Sequence, residues 1–239
     1  MDIMSFIIAV HVKEGIVLAS DSRTTYTQTT KVGNQTTVKI GTHTTDTTNK
    51  TFLCPNNIGI STCGDASLCG TPITGYIEAF IREKVTDSTD IANVPQMLID
   101  YFNSTAEVPD TNFIVAGYST SGNVTTQCIY TLNVKSKSVD SVDTAFQGAR
   151  WDGETQTLSK IIQNTYMKDS KGKEIPLGKT EVSWGLFTLQ DAIDFARYAV
   201  ETTINTMRFK NVVETVGGNV DILVITPDET KWLQKTELK

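Results

Sequence analysis

Ser5-Phe-Ile-Ile-Ala-Val10-His-Val-Lys-Glu-Gly15-Ile-Val-Leu-Ala-Ser20-Asp21-Ser-Arg23-Thr-Thr25 is the stretch on which the fold turns. Two short apolar runs, Phe6–Val12 and Ile16–Ser20, are joined by Lys13-Glu14-Gly15, whose glycine suits a tight hairpin turn. From Thr24 to Thr51 the composition shifts to Thr, Asn, Gln and Lys. β-Branching favours strand there while polarity keeps the segment at the surface, so exposed hairpins are expected, with Val38 and Ile40 giving an inward face around Lys39. Phe52-Leu53 and Ile58–Thr62 read as two more strands about the turn Pro55-Asn56-Asn57.

After Gly64 the period changes. Leu68, Ile73, Tyr76, Ile77, Phe80 and Ile81 fall near helical spacing, and a second helical stretch follows over Val94–Phe102. Asn112–Tyr118, Val124–Val134 and Val139–Phe146 predict a β-meander. Helices are predicted over Glu154–Tyr166 and Leu189–Phe209, separated by the polar stretch Lys168–Lys179, and Val220–Ile225 and Thr230–Leu233 close the chain as strands. No boundary breaks this order, so residues 5–239 are expected to form one α+β domain. Two antiparallel sheets packed face to face and covered by helices give a four-layer αββα sandwich.

Composition narrows the function classes. The 239 residues hold 39% hydrophobic and 20% charged side chains, the balance of a globular chain. A net charge of −6 without a Lys/Arg cluster argues against a nucleic-acid surface. No run approaches the ~18 apolar residues of a membrane span, and the start lacks the features of a secretory signal, so a cytoplasmic location away from membranes is expected. Cys54, Cys63, Cys69 and Cys128 show no CxxC spacing and His11 and His43 sit in no HExxH pattern, so no metal and no cofactor is expected. The phosphate-loop, GxGxxG and GxSxG patterns are also absent from the sequence. The Asn-x-Ser/Thr triplets at Asn34, Asn49, Asn103 and Asn123 are what a Thr-rich chain produces by chance.

The opening block resembles the start of a proteasome β-type subunit, a family of the N-terminal nucleophile hydrolases, and specifically its bacterial proteasome-like branch. With the hairpin aligned without gaps, Ser5 falls where the family places its catalytic N-terminal Thr, and Asp21 and Arg23 fall at a family Asp and Arg. Val38-Lys39-Ile40 resembles the strand bearing the catalytic Lys. Ser61-Thr62-Cys63-Gly64-Asp65 resembles the element that opens the first helix, and Val216-Gly217-Gly218 resembles a late Ser-Gly-Gly segment. The similarity runs from Ser5 to about Trp232 and is most specific in the opening block.

The resemblance implies a peptide or amide hydrolase with Ser5 as nucleophile, its free α-amine as base, Lys39 tuning that amine, and Asp21 supporting Lys39. An N-terminal Ser carries its own base, with an unperturbed pKa of about 7.7–8.0, and so needs no histidine. Backbone N–H groups at Ser61 and Thr62 are expected to stabilise the oxyanion, each such donor being worth about 2.7–4 kcal/mol. Thr25 and Cys63 are expected to line the substrate groove, and Arg23, Gln147, Gly148, Gly217 and Gly218 to support it. The family also implies a homo-oligomer, a ring or related assembly. The sequence identifies no unfoldase partner, subunit number or side-chain preference.

Three departures from the family pattern stand out. The nucleophile is Ser rather than Thr, Ser61 replaces a glycine at the expected oxyanion position, and Val213 and Val216 stand where active subunits carry Asp and Ser. Met1-Asp2-Ile3-Met4 precedes Ser5. A start at Met4 followed by methionine removal, or autocatalytic loss of a four-residue propeptide, would free the amine. Taken singly, Ser5, Asp21 and Lys39 also fit plain structural roles, and two other readings remain open. One is a catalytically silent assembly protein of the same fold; the other is a small-amide hydrolase or acyl transferase of the same class.

Overall fold

The computed structural model describes residues 5–32, 35–177 and 181–237; the segment 1–4 and the side chains of residues 28–36 and 40 lie outside the description. In chain order the elements begin with β1 (Phe6–Val12), β2 (Gly15–Asp21), β3 (Thr24–Val32), β4 (Gln35–Thr45), β5 (Thr51–Cys54), β6 (Ile58–Gly64), β7 (Ser67–Leu68) and β8 (Thr71–Pro72). They continue with α1 (Ile73–Lys84), α2 (Val94–Asn103), β9 (Thr111–Ser121), β10 (Val124–Asn133), β11 (Ser138–Ser141) and β12 (Gly148–Gly153). The last are α3 (Gln156–Ile162), β13 (Thr165–Lys168), β14 (Glu174–Leu177), α4 (Leu189–Phe209), β15 (Val220–Ile225) and β16 (Thr230–Gln234).

Two five-stranded antiparallel sheets, β12-β1-β2-β15-β16 and β11-β10-β9-β6-β5, form the middle of the molecule. β1, β2 and β15 are buried along their whole length because both faces are covered. Ile7, Leu18 and Leu223 point to the second sheet and meet Ile114, Ala116 and Ile129 there. The alternate residues Ile8, Val17, Ala19 and Ile222 pack under α3 and α4. On α4, Ala192, Ala196 and Ala199 place small side chains on the buried stripe and let the helix lie close to the sheet. Its start is fixed by a capping box between Thr188 and Asp191. The far face of the second sheet is covered by α1 and α2, whose Ile77, Phe80, Leu98 and Phe102 cluster with Phe113 of β9. The four layers are therefore helices, sheet, sheet, helices, as expected.

Four local expectations differ. The strand β12 is absent from the sequence reading: Gly148-Ala-Arg-Trp-Asp-Gly153 holds no β-branched residue, and it is strand because β1 pairs with it from His11↔Gly148 to Phe6↔Gly153. The helix expected over Glu154–Tyr166 runs only from Gln156 to Ile162, and Thr165–Lys168, at the end of that expected helix, pairs as a hairpin with Glu174–Leu177, which lies in the stretch read as a polar spacer. The first helix begins at Ile73, after the short hairpin β7–β8. Val38 gives no inward face: it is 55% exposed, on a ribbon that leaves the body, while the side chain of Ile40 lies outside the described residues. Among the described residues no helix is long and apolar enough to cross a membrane.

Candidate active site

β1 and β2 are adjacent and antiparallel, so the start of one and the end of the other meet at one end of the sheet, bringing Ser5 beside Asp21. Ser5 is buried and adopts φ 119°, a region that favours glycine. It is held from both directions. The Glu154 amide donates to the Ser5 carbonyl at 2.8 Å, and the next amide, Phe6 N–H, donates to Asp21 Oδ1 at 2.9 Å. Gly153 permits the first contact, because a Cβ there would stand 2.1 Å from the Ser5 oxygen.

Asp21 is fully buried and all its acceptor capacity is used. Oδ1 takes Phe6 N–H and the Lys50 ammonium, the latter at 2.8 Å; Oδ2 takes Gly217 N–H at 3.0 Å and Arg23 N–H at 3.2 Å. Lys50 also donates to the Arg23 carbonyl. Burial pulls the Lys50 ammonium below the usual lysine range, and Asp21 opposes that shift. The lysine beside Asp21 is therefore Lys50. Lys39, expected in that role, is exposed on the ribbon β3–β4, where it stands opposite Gln28. Lys39 draws attention because Val38 and Ile40 flank it; Lys50 carries a quieter signal, a lone cation separated by Thr51 from the apolar pair Phe52-Leu53.

Ser5, Thr24, Thr48, Lys50, Thr62 and Gly64 share one narrow cleft. The expected oxyanion donors require revision. Thr62 N–H already donates to the Lys50 carbonyl at 2.8 Å, and the Ser61 side chain points into the protein, its Oγ 2.9 Å from Thr51 Oγ1. Amides along an antiparallel strand alternate in direction. Asp65 N–H reaches Asp110 O on the β9 side, so Gly64 N–H faces the same side as that of Thr62, but past the end of β5 and into the cleft. Gly64 has φ 122°, and a Cβ would lie 2.4 Å from the Asp110 carbonyl.

The remaining expected residues divide into two groups. Cys63 lines the cleft as a buried thiol whose pKa burial pushes well up. Thr25 faces away: its hydroxyl donates to the Glu214 carbonyl at 2.9 Å, and Thr24 lines the cleft instead. Arg23 is a clamp, joining Asp46 through two bonds of 2.6 and 2.8 Å and also pairing with Glu214. Its guanidinium pulls the Asp46 carboxyl below the usual range. The Gly217 carbonyl accepts from Ser22 and Arg23, and a Cβ at Gly217 would be 2.6 Å from the Arg23 guanidinium. Gly218, at φ 75°, leaves room for Ser22 Oγ. Gln147 and Gly148 are not at the site: Gly148 pairs with His11 at the opposite end of β1. The residues that meet Ser5 from this segment are Gly153 and Glu154, with Asp152 opposite Ile7; burial raises the Asp152 carboxyl. Val216 is buried and Val213 is partly exposed beside Gly41, so neither supplies a polar group.

A search of solved structures matches a Gly-1 mutant of Anbu from Hyphomicrobium sp. strain MC1. The TM-score is 0.57 with 13% sequence identity, covering 96% of this chain and 88% of that one. The fold is proteasome-like. At this identity the likeness concerns the fold alone. No family model matches the chain, and no curated protein matches it.

Proposed function

We propose that this protein is an N-terminal nucleophile hydrolase of peptide or amide bonds, with Ser5 as the nucleophile once residues 1–4 are removed. The observation that carries the reading is that a single oxygen of Asp21 binds both the Lys50 ammonium and the amide following Ser5. The site is thus built around the residue that immediately precedes β1, where a freed α-amine would sit on the nucleophile itself.

In this mechanism the neutral α-amine takes the proton from Ser5 Oγ as the oxygen adds to the substrate carbonyl. Gly64 N–H donates to the oxyanion. Collapse breaks the C–N bond, the ammonium protonates the leaving amine, and an acyl ester remains on Ser5. Water, deprotonated by the same amine, then hydrolyses the ester and restores the hydroxyl. Lys50 does not transfer a proton. As a buried cation it disfavours a second positive charge on the amine and favours the developing oxyanion, while Asp21 compensates for its burial.

A silent assembly protein of the same fold is the second reading, favoured by Val213 and Val216, which put aliphatic groups where the family pattern has polar ones. Two measurements separate the readings. Intact mass with N-terminal sequencing shows whether the chain begins at Ser5, and a peptide epoxyketone, which reacts with hydroxyl and amine together, reports whether both are competent. The hydrolase reading expects an adduct that Ser5→Ala abolishes. A chain that uniformly retains residues 1–4 and takes no adduct sinks it. Turnover of peptide libraries against simple acyl amides then distinguishes a peptidase from a small-amide hydrolase.

A further inference from the structure

The ribbon β3–β4 is the part of the fold that the proposed chemistry leaves unused. Among the described residues its two strands, Thr24–Val32 and Gln35–Thr45, pair only with each other, which leaves both outer edges open there. Strands of this length extend about 30 Å. An isolated two-stranded ribbon is marginal in water, and open edges invite pairing with another chain.

The root is firmly built. Arg23 binds Asp46 at the two ends of the ribbon, the Thr25 hydroxyl holds the Glu214 carbonyl, and Tyr26 and His43 stack with ring centroids 5.8 Å apart. Gly41 lies against Val213. Beyond this root Thr27, Thr37, Val38 and Lys39 are exposed. The ribbon is therefore aimed by the body, and its described side chains beyond the root are uncovered.

Charge indicates what covers it. Residues 24–45 contain Lys31 and Lys39 and no Asp or Glu, so they carry +2, while the whole chain carries −6 and the remainder −8. A body that carries −8 is complementary in sign to a cationic ribbon, and a second copy supplies such a body. Area points the same way. One ribbon face of about 30 by 10 Å offers roughly 300 Å². Two ribbons exchanged reciprocally, each burying an equal area of the other body, reach about 1,200 Å² in total, the lower limit for a stable interface. A one-way contact would reach only half of that. Val213, which meets Gly41, is itself exposed, as are Val212 and Phe209 just before it in the chain.

We propose that β3–β4 is an exchange arm that lies on the acidic body of a second copy of this chain, with the second copy's arm returned in the same way. The contact is independent of whether Ser5 is a nucleophile, although Thr24, at the arm's root, lines the cleft.

Sedimentation velocity over a concentration series tests the arm without any activity measurement. Three proteins are compared: the full chain; a chain in which residues 27–42 are replaced by Asn-Gly, which closes the ribbon at Tyr26 and His43; and Lys31→Glu/Lys39→Glu, which keeps the whole arm. Thermal melts establish that each is folded. The full chain should associate, with affinity falling as salt rises, and the double charge reversal should weaken association by at least about tenfold at low salt. The shortened chain, if folded, should be monomeric; if it does not fold, the charge-reversed chain decides. A full chain that is monomeric throughout overturns the proposal. So does association that neither salt nor the charge reversal weakens, or that a folded shortened chain retains in full.

Discussion

The chemistry proposed for the site depends on which lysine meets Asp21, and the two candidates differ in a measurable way. Lys50→Met removes the partner of a fully buried carboxylate. Breaking such a pair costs about 3–5 kcal/mol because the remaining charge stays buried. The expected outcome is loss of epoxyketone labelling at Ser5 together with a large fall in the denaturation midpoint. Lys39→Met changes an exposed ribbon residue and should leave the monomer's stability within about 0.5 kcal/mol of the parent and labelling intact. The reverse pattern would return the role to Lys39. Sequence legibility divides at the same residues. The convergence of Ser5, Asp21 and Gly217, and the pairing of Asp21 with a lysine, are legible because the three residues lie in blocks of continuous register. The lysine's position was not, because the inserted ribbon 24–45 stands between Asp21 and its partner, and apolar neighbours are a poor guide on a ribbon that leaves the core.

Among the elements, β12 contributes most that local sequence did not signal. The long helix α4 and the strands β1, β2 and β15 were legible from periodicity, since each buries a face or both faces of regular apolar pattern. β12 has no such pattern, and its existence depends on pairing with β1, a contact distant in sequence. Its two terminal glycines separate the two placements of the supporting segment. At Gly153 an added Cβ meets the Ser5 carbonyl at 2.1 Å, with φ 90° as a further strain. At Gly148 the nearest atom is a His11 ring carbon at 3.4 Å, ordinary contact. Gly153→Ala should therefore lower stability by more than about 1 kcal/mol and suppress Ser5 labelling, whereas Gly148→Ala should be tolerated in both assays. Chemical denaturation and adduct mass, measured on both variants, check this. Equal effects would mean that the Gly148 end also governs the site.

At the scale of the whole molecule, the two ends of the sandwich should respond differently to pH and to substitution. At the end away from the cleft, His11 is buried and its Nε2 is 2.9 Å from the Phe146 carbonyl, while burial lowers its pKa below 6.5. The folded protein therefore takes up this proton less readily than the unfolded chain does. The resulting stability is fully present above about pH 6.5 and is lost as pH falls through the folded value. Urea midpoints measured from neutral to mildly acid pH should fall more steeply for the parent than for His11→Gln, and matching slopes would exclude His11 as the source.

Near the cleft the sheets are joined by hydroxyls rather than by packing alone. Thr51 Oγ1, on the second sheet, donates to Ser20 Oγ on the first at 2.9 Å and lies 2.9 Å from Ser61 Oγ, all three residues being buried. Thr51→Val keeps the shape but leaves two buried hydroxyls short of a partner, at a cost of about 1–3 kcal/mol. Because the penalty comes from stranded polar groups, Ser20→Ala/Thr51→Val/Ser61→Ala should recover part of the loss seen with Thr51→Val alone. A simple sum of deleted contacts predicts the opposite, a triple variant less stable than the single one. Denaturation midpoints of the two variants decide between these accounts, and with them whether the hydroxyl chain beside Lys50 acts as one unit or as separate bonds.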